Sequence, residues 1–283
     1  MRLVRPGRQQ PAAGSRRVLV TGAASGLGLA LVQALVARGD RVLATDRASE
    51  RPAVLPDAAA YLGLDVRSDD DWSAALDHVR QTWGGLDLLV NNAGVAAGGR
   101  IDVATMEEWR WIVDINLLGV VRGCRTFTPL LKAQRSGQIV NVASLAGLVH
   151  APGMSAYNTV KAGVVALSET LSHELAPDGI EVSVVCPSFF RTNLGASFQG
   201  ADTEMEETGK RMVSGSKRSA EQVAATVLRG IDAGRDVILT DLEGQIGWRA
   251  KRFARPAYTA LMKRASMRRV RRASQPASRS SSR

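Results

Sequence analysis

Residues 17–39 read RVLVTGAASGLGLALVQALVARG. The first five are a short apolar run that fits a buried strand, closing at Thr21. Gly22, Ser25, Gly26 and Gly28 cluster as a turn. From Leu27 to Arg38 the apolar residues return at helical spacing and stop at Gly39. Strand, tight glycine turn and helix is how an open α/β sheet begins. Glycines in that turn let backbone N–H groups approach a pyrophosphate at the helix start. The spacing is G-x-x-x-G-x-G rather than G-x-G-x-x-G, and no Lys-Ser/Thr pair follows, so the turn is not a nucleoside-triphosphate loop. Val18 to Ala37 carries no charge over 20 residues. Its turn chemistry argues against a membrane span, and no small-residue cleavage site follows it.

The alternation continues outward. Strands are predicted at Arg41–Thr45, Ala59–Leu64, Leu86–Val90, Gln138–Val142, Glu181–Cys186 and Asp236–Thr240. Helices are predicted at Asp70–Trp83, Glu107–Pro129 (with polar Asn116 inside an apolar stretch) and Ala156–Ala176. Short buried strands alternating with helices predict one Rossmann-like, doubly wound domain over residues 16–247. It should hold a seven-stranded parallel sheet with helices on both faces. Ligands in such sheets bind at the carboxyl ends of the strands. No internal repeat is present. The polar stretch 199–219 suits a mobile flap beside the site.

The charge is +10, from 37 Lys+Arg against 27 Asp+Glu, but it is unevenly spread. The first 17 residues hold five Arg and no acid; residues 248–283 hold 12 bases and no acid. The stretch between carries 20 bases against all 27 acids. The body is therefore mildly acidic, and the basic excess says nothing about its ligand. Residues 1–15 read as a flexible basic arm, 248–267 as a basic amphipathic extension, and 268–283 as a disordered basic tail. The extension interleaves bases with Trp248, Phe253, Tyr258, Leu261 and Met262. It suits docking on the body or a neighbouring subunit, or contact with an anionic membrane surface. Pro256 should break it as one helix. A solvated tail, not a specific nucleic-acid site, is the expectation for the end. Cys124 and Cys186 read as small core residues, and two cysteines suit a reducing compartment, so the chain is expected in the cytoplasm. His78, His150 and His173 have no metal-ligand spacing. His150, before Tyr157, is either a substrate contact or a solvated loop residue.

Asp46, at the end of the second strand, can accept hydrogen bonds from an adenosine ribose and would repel a 2′-phosphate, which favours NAD over NADP. The adjacent Arg47 works the other way, since a guanidinium can hold that phosphate. Tyr157 and Lys161 stand at i and i+4 of a predicted helix and share a face. A cation beside a phenol should lower its pKa toward the working range. Ser144 supplies a hydroxyl able to polarise a carbonyl. Leu145, Met154, Phe189, Phe190, Leu194 and Phe198 suggest an apolar pocket, or ordinary core packing.

Taken together, TGAASGLG, NNAG at 91–94, Asn116, Ser144 and Tyr157-Asn158-Thr159-Val160-Lys161 resemble the short-chain dehydrogenase/reductase family over residues 16 to about 240. Within it, CPSFFRTNL and KAGVVALSETL are similar to segments of bacterial oxidoreductases. The resemblance implies hydride transfer between NAD(P) and a secondary alcohol or ketone. Tyr157 would be acid and base, Lys161 would lower its pKa and bind the nicotinamide ribose, and Ser144 would bind the substrate oxygen. Asn116 would hold a relay water. Gly22, Ser25, Gly26, Leu27, Gly28, Asp46, Arg47, Asp65, Val66, Asn92, Ala93, Gly94, Pro187, Phe190 and Thr192 would line the cofactor. Ser188 departs from the family's P-G-x-x-x-T. A homodimer or homotetramer through helices 107–129 and 156–176 is expected. The other reading is a catalytically silent dinucleotide sensor or scaffold on the same fold.

Overall fold

A computed structural model describes residues 15–191 and 200–273, with side chains described through Met267. The strands are β1 (Arg17–Thr21), β2 (Arg41–Asp46), β3 (Ala60–Gly63), β4 (Leu88–Asn91), β5 (Gly137–Val142), β6 (Ile180–Cys186) and β7 (Val237–Leu239). They form one seven-stranded parallel sheet in the order β3-β2-β1-β4-β5-β6-β7. Chain order reverses between β1 and β4, which opens a crevice above their carboxyl ends.

Side chains alternate with period two and build a core on each face. Val18, Val20, Val42, Ala44, Leu88, Val90, Val140 and Val185 face one way. There they meet Leu27, Leu31 and Leu35 of α1 (Gly26–Ala37) and Val223, Val227 and Ile231 of α8 (Ala220–Asp232). Leu19, Leu43, Leu89, Ile139, Val182 and Val184 face the other way. That side is covered by α2 (Asp69–Trp83), α4 (Gly119–Gln134) and α6 (Ser155–Glu174). Trp72 and Phe127, both fully buried, meet there edge to face at 6.3 Å. Strand boundaries match the sequence reading within two residues.

The expected helix over 107–129 is in fact α3 (Met106–Val113), a π-helical turn (Asp114–Leu118) and α4, which runs past Pro129 to Gln134. Leu131 is fully buried in the last turn, which anchors that turn despite the amide missing at Pro129. The short α5 (Ala146–Val149) precedes α6.

The polar stretch read as a flap holds a helix, α7 (Thr203–Ser214), which buries Met205, Gly209 and Val213 on one stripe. A further helix, α9 (Leu242–Phe253), runs across the expected start of the extension at Trp248. One expectation needs correction. The tail read as disordered from residue 268 is helical through Ala273, the end of α10 (Arg255–Ala273). The break falls at Ala254, with Pro256 in the first turn of α10, where its missing N–H costs little. No helix of the described residues is long and apolar enough to cross a membrane.

Candidate active site

A cleft of about 610 Å³ lies over the carboxyl ends of β1, β4, β5 and β6. The glycine-rich turn floors one end. Gly22 and Gly26 hold positive φ, at 65° and 55°. A Cβ on Gly28 would stand 2.0 Å from the Gly22 carbonyl oxygen, and one on Gly22 would stand 2.7 Å from Ala93 Cα. Ser25 begins α1 without a side-chain cap, whereas α2, α3, α7, α8 and α9 are capped by Ser68, Thr105, Asp202, Ser219 and Asp241. The first N–H groups of α1 are thus left for an anion. Thr21 Oγ1 accepts from the Asn92 and Ala93 amides at 3.0 Å, and Asn92 Nδ2 donates to the Thr21 and Gly22 carbonyls. These bonds lock the β4 loop onto the turn.

Asp46 accepts from the Ala24 amide at 2.9 Å and from the Arg47 amide at 2.9 Å, so its carboxylate stands beside the turn. Asp65 is bonded to Arg67 at 2.6 Å, which with nearby Arg47 holds its carboxyl below the usual range. Val66 also lines the cleft, its carbonyl accepting from Trp72 Nε1.

At the other end β5 and α6 deliver Ser144, Tyr157 and Lys161 to the same cleft. Lys161 Nζ donates to the Val142 carbonyl at 2.9 Å and lies 5.9 Å from the centre of the Tyr157 ring. Lys161 is buried, and burial brings its pKa down to about 8. Tyr157 departs from the sequence reading: burial pushes the phenol above its ordinary value, and the Ser144 hydrogen bond only partly opposes this. Ser144 Oγ also accepts from the Ala146 amide at 3.1 Å. Cys186, below Lys161, is pushed up to about 12 by burial, as is Cys124; both are buried thiols.

Asn116 sits in the π turn with no exposure, and both ends of its amide are hydrogen-bonded. Oδ1 accepts from the Val95 amide and Nδ2 donates to the Val95 carbonyl, each at 2.8 Å. Its side chain therefore holds the β4 loop at the bend of the π turn. A Cβ on Gly94 would lie 3.0 Å from that Oδ1 and 3.5 Å from Lys161 Nζ, so this glycine lets the loop close on both residues.

Pro187, Phe189 and Phe190 line the cleft with Leu145, Met154 and Trp111. Thr192, Leu194 and Phe198 lie outside the described residues. Ser188, the departure from the family pattern, donates to Asp241, whose other oxygen caps α9 through the Gly244 amide at 2.6 Å. A serine here ties the loop after β6 to the start of the extension. His150 does not line the cleft; it faces Lys251 of α9, 2.6 Å from its Nδ1. Val213 of α7 completes the cleft, a contribution that the polar sequence of α7 did not advertise. Among the described residues no cluster could hold a metal ion.

The family model for short chain dehydrogenase matches residues 16–202. This chain belongs to the short-chain dehydrogenase family. It is 38% identical over 178 residues to a 3-alpha-(or 20-beta)-hydroxysteroid dehydrogenase of Mycobacterium tuberculosis, covering 62% of this chain and 68% of that one. It is 36% identical over 189 residues to the 2-(R)-hydroxypropyl-CoM dehydrogenase of Xanthobacter autotrophicus, covering 63% and 76%. A short-chain dehydrogenase/reductase of Burkholderia phymatum solved with NAD superposes with TM-score 0.76 at 27% identity, over 96% of this chain and 100% of that one. One of Burkholderia cenocepacia solved with NADP gives 0.76 at 25% identity, over 88% and 97%. The short-chain dehydrogenase described here is an NAD(P)-dependent oxidoreductase acting on alcohols or ketones.

Proposed function

We propose that this enzyme interconverts a hydrophobic secondary alcohol and its ketone, with Tyr157 moving the proton. The observation that carries this is the meeting of Ser144, Tyr157 and Lys161 in one cleft with the uncapped start of α1. The bound dinucleotide supplies or accepts the hydride. Its pyrophosphate fits the amides of Ser25, Gly26 and Leu27, its adenosine the ground between Asp46 and Asp65–Val66, and its nicotinamide end the strip from Asn92 to Gly94 with Pro187 and Phe190. Lys161 Nζ, fixed by the Val142 carbonyl, is the group that would hold the ribose hydroxyl there.

In reduction Tyr157 Oη donates its proton to the substrate oxygen; in oxidation it takes one back. Ser144 Oγ, oriented by the Ala146 amide, donates to the same oxygen. The phenol's raised pKa suits the acid role. For the base role Lys161 must stabilise the phenolate, and burial, which brings its own pKa down to about 8, works against that. Leu145, Met154, Trp111 and Phe190 give the substrate end an apolar wall. The carboxylate of Asp46 beside the turn supports NAD as the cofactor.

Replacing Tyr157 by Phe removes one oxygen and leaves the ring. Turnover should fall by roughly 10²–10⁴-fold, with NADH titrated by fluorescence still binding. A near-normal kcat would take the proton away from Tyr157.

A further inference from the structure

A second cavity of about 360 Å³ lies between α10 and the loop that leads into α6. Val149 lines both this groove and the main cleft, so the two adjoin at one residue. Pro152, Met262 and Val149 make part of the groove apolar. His150, Lys251, Arg255 and Lys263 stand around it, and no carboxylate lines it.

The wall is built rather than incidental. Lys251 Nζ donates to the Leu148 carbonyl at 2.5 Å and to His150 Nδ1 at 2.6 Å, while His150 Nε2 lies 3.1 Å from the Gly147 carbonyl. This is the neutral ring with its proton on Nε2. Tyr258 donates to the Val149 carbonyl at 2.8 Å and fastens α10 to α5. His150 holds a left-handed φ of 57°, a conformation that costs a non-glycine residue free energy and that the surrounding contacts maintain. The positive charge is not neutralised: among the described residues no ion pair involves Lys251, Arg255 or Lys263. Burial and the Arg255 charge lower the pKa of Lys251, and burial and the Lys251 charge lower that of His150. An anion would relieve both.

We propose that this groove binds the anionic end of an amphipathic substrate, an alkyl chain ending in a carboxylate, sulfonate or phosphate. The chain lies on Val149, Pro152 and Met262, and the acid group meets Arg255, Lys263 and the free donor of Lys251. Naming the ligand as substrate rests on the alcohol–ketone reading above; the anion site itself does not.

The test is calorimetric titration of the full chain with octanoate, 1-octanol and acetate. Octanoate should bind roughly tenfold more tightly than either the uncharged chain or the chainless acid. Added salt should erode that advantage. The double variant Arg255→Gln/Lys263→Gln should lose it, and because neither side chain makes a hydrogen bond in the wall, the fold and NADH binding should be unchanged. Octanoate and octanol binding alike, or a variant that keeps the preference, overturns the proposal. None of these readings needs turnover, so they stand apart from the outcome at Tyr157.

Discussion

At the residue scale the site divides into groups that the sequence displays and groups that only packing reveals. Tyr157 and Lys161 are legible because helical geometry puts i and i+4 on one face. The direction of the phenol's pKa was not legible, because it depends on how deeply Tyr157 is buried, and spacing carries no burial. The same holds for Asn116, whose side chain is committed to Val95 by the path of a distant loop. Asp46 lies between these cases. Its position at the end of β2 was readable, but its bond to the Ala24 amide was not. That bond suggests a clean variant. Asn in place of Asp46 keeps an oxygen for the Ala24 amide and removes the charge that excludes a 2′-phosphate. NADH affinity should then fall by roughly tenfold or more, and NADPH affinity should hold or improve as Arg47 gains a partner. Fluorescence titration of both cofactors measures this; an unchanged ratio would remove Asp46 as the discriminating residue.

At the element scale the short apolar runs of the strands and the 3.6-period of the helices gave a clear signal, because both faces of the sheet are buried and demand apolar residues throughout. Elements carrying a thinner buried stripe gave a weak one. Helix α7 buries only Met205, Gly209 and Val213, so its sequence reads as polar loop. Its start is nevertheless firmly held. The Asp202 carboxylate, with no side-chain exposure, accepts from the Arg100 amide at 2.9 Å and from Arg100 Nε at 2.8 Å, and it caps the helix through the Met205 amide at 3.3 Å. Arg100 belongs to the segment after β4, so the pair staples α7 to the rim of the cleft. Asp202→Ala should raise KM for the ketone several-fold through loosened α7 and cost about 1–2 kcal/mol of stability, with NADH affinity unchanged. Asp202→Asn, which keeps a capping oxygen, should recover most of the stability. Steady-state kinetics and urea unfolding report the two effects, and an unaltered KM in the alanine variant would show that α7 does not shape the substrate end.

At the scale of the whole molecule the charge map and the surface map coincide. The acidic body contrasts with an extension in which no acid follows Glu243. On that extension Leu242, Ile246 and Phe253 are 64%, 58% and 81% exposed. Their spacing of four and seven residues puts them on one side of α9, the side that also carries exposed Arg249. Three large apolar residues this exposed on one side of a helix are open to a partner. A second copy meeting it across a two-fold axis would bring the same basic face against itself. An anionic bilayer satisfies both halves of the pattern, since each Lys or Arg near such a surface contributes about 1 kcal/mol and a Phe moved out of water about 1.5–3 kcal/mol. The full chain should therefore co-sediment with vesicles of phosphatidylcholine and phosphatidylglycerol, more weakly at high salt, and not with phosphatidylcholine alone. Phe253→Asp should abolish the association while leaving kcat intact, because Phe253 lines neither cavity. Recovery with neither vesicle would leave the stripe on α9 to be covered by protein, and equal recovery with both, or undiminished binding by the Phe253 variant, would overturn the paired role of its charge and its apolar stripe.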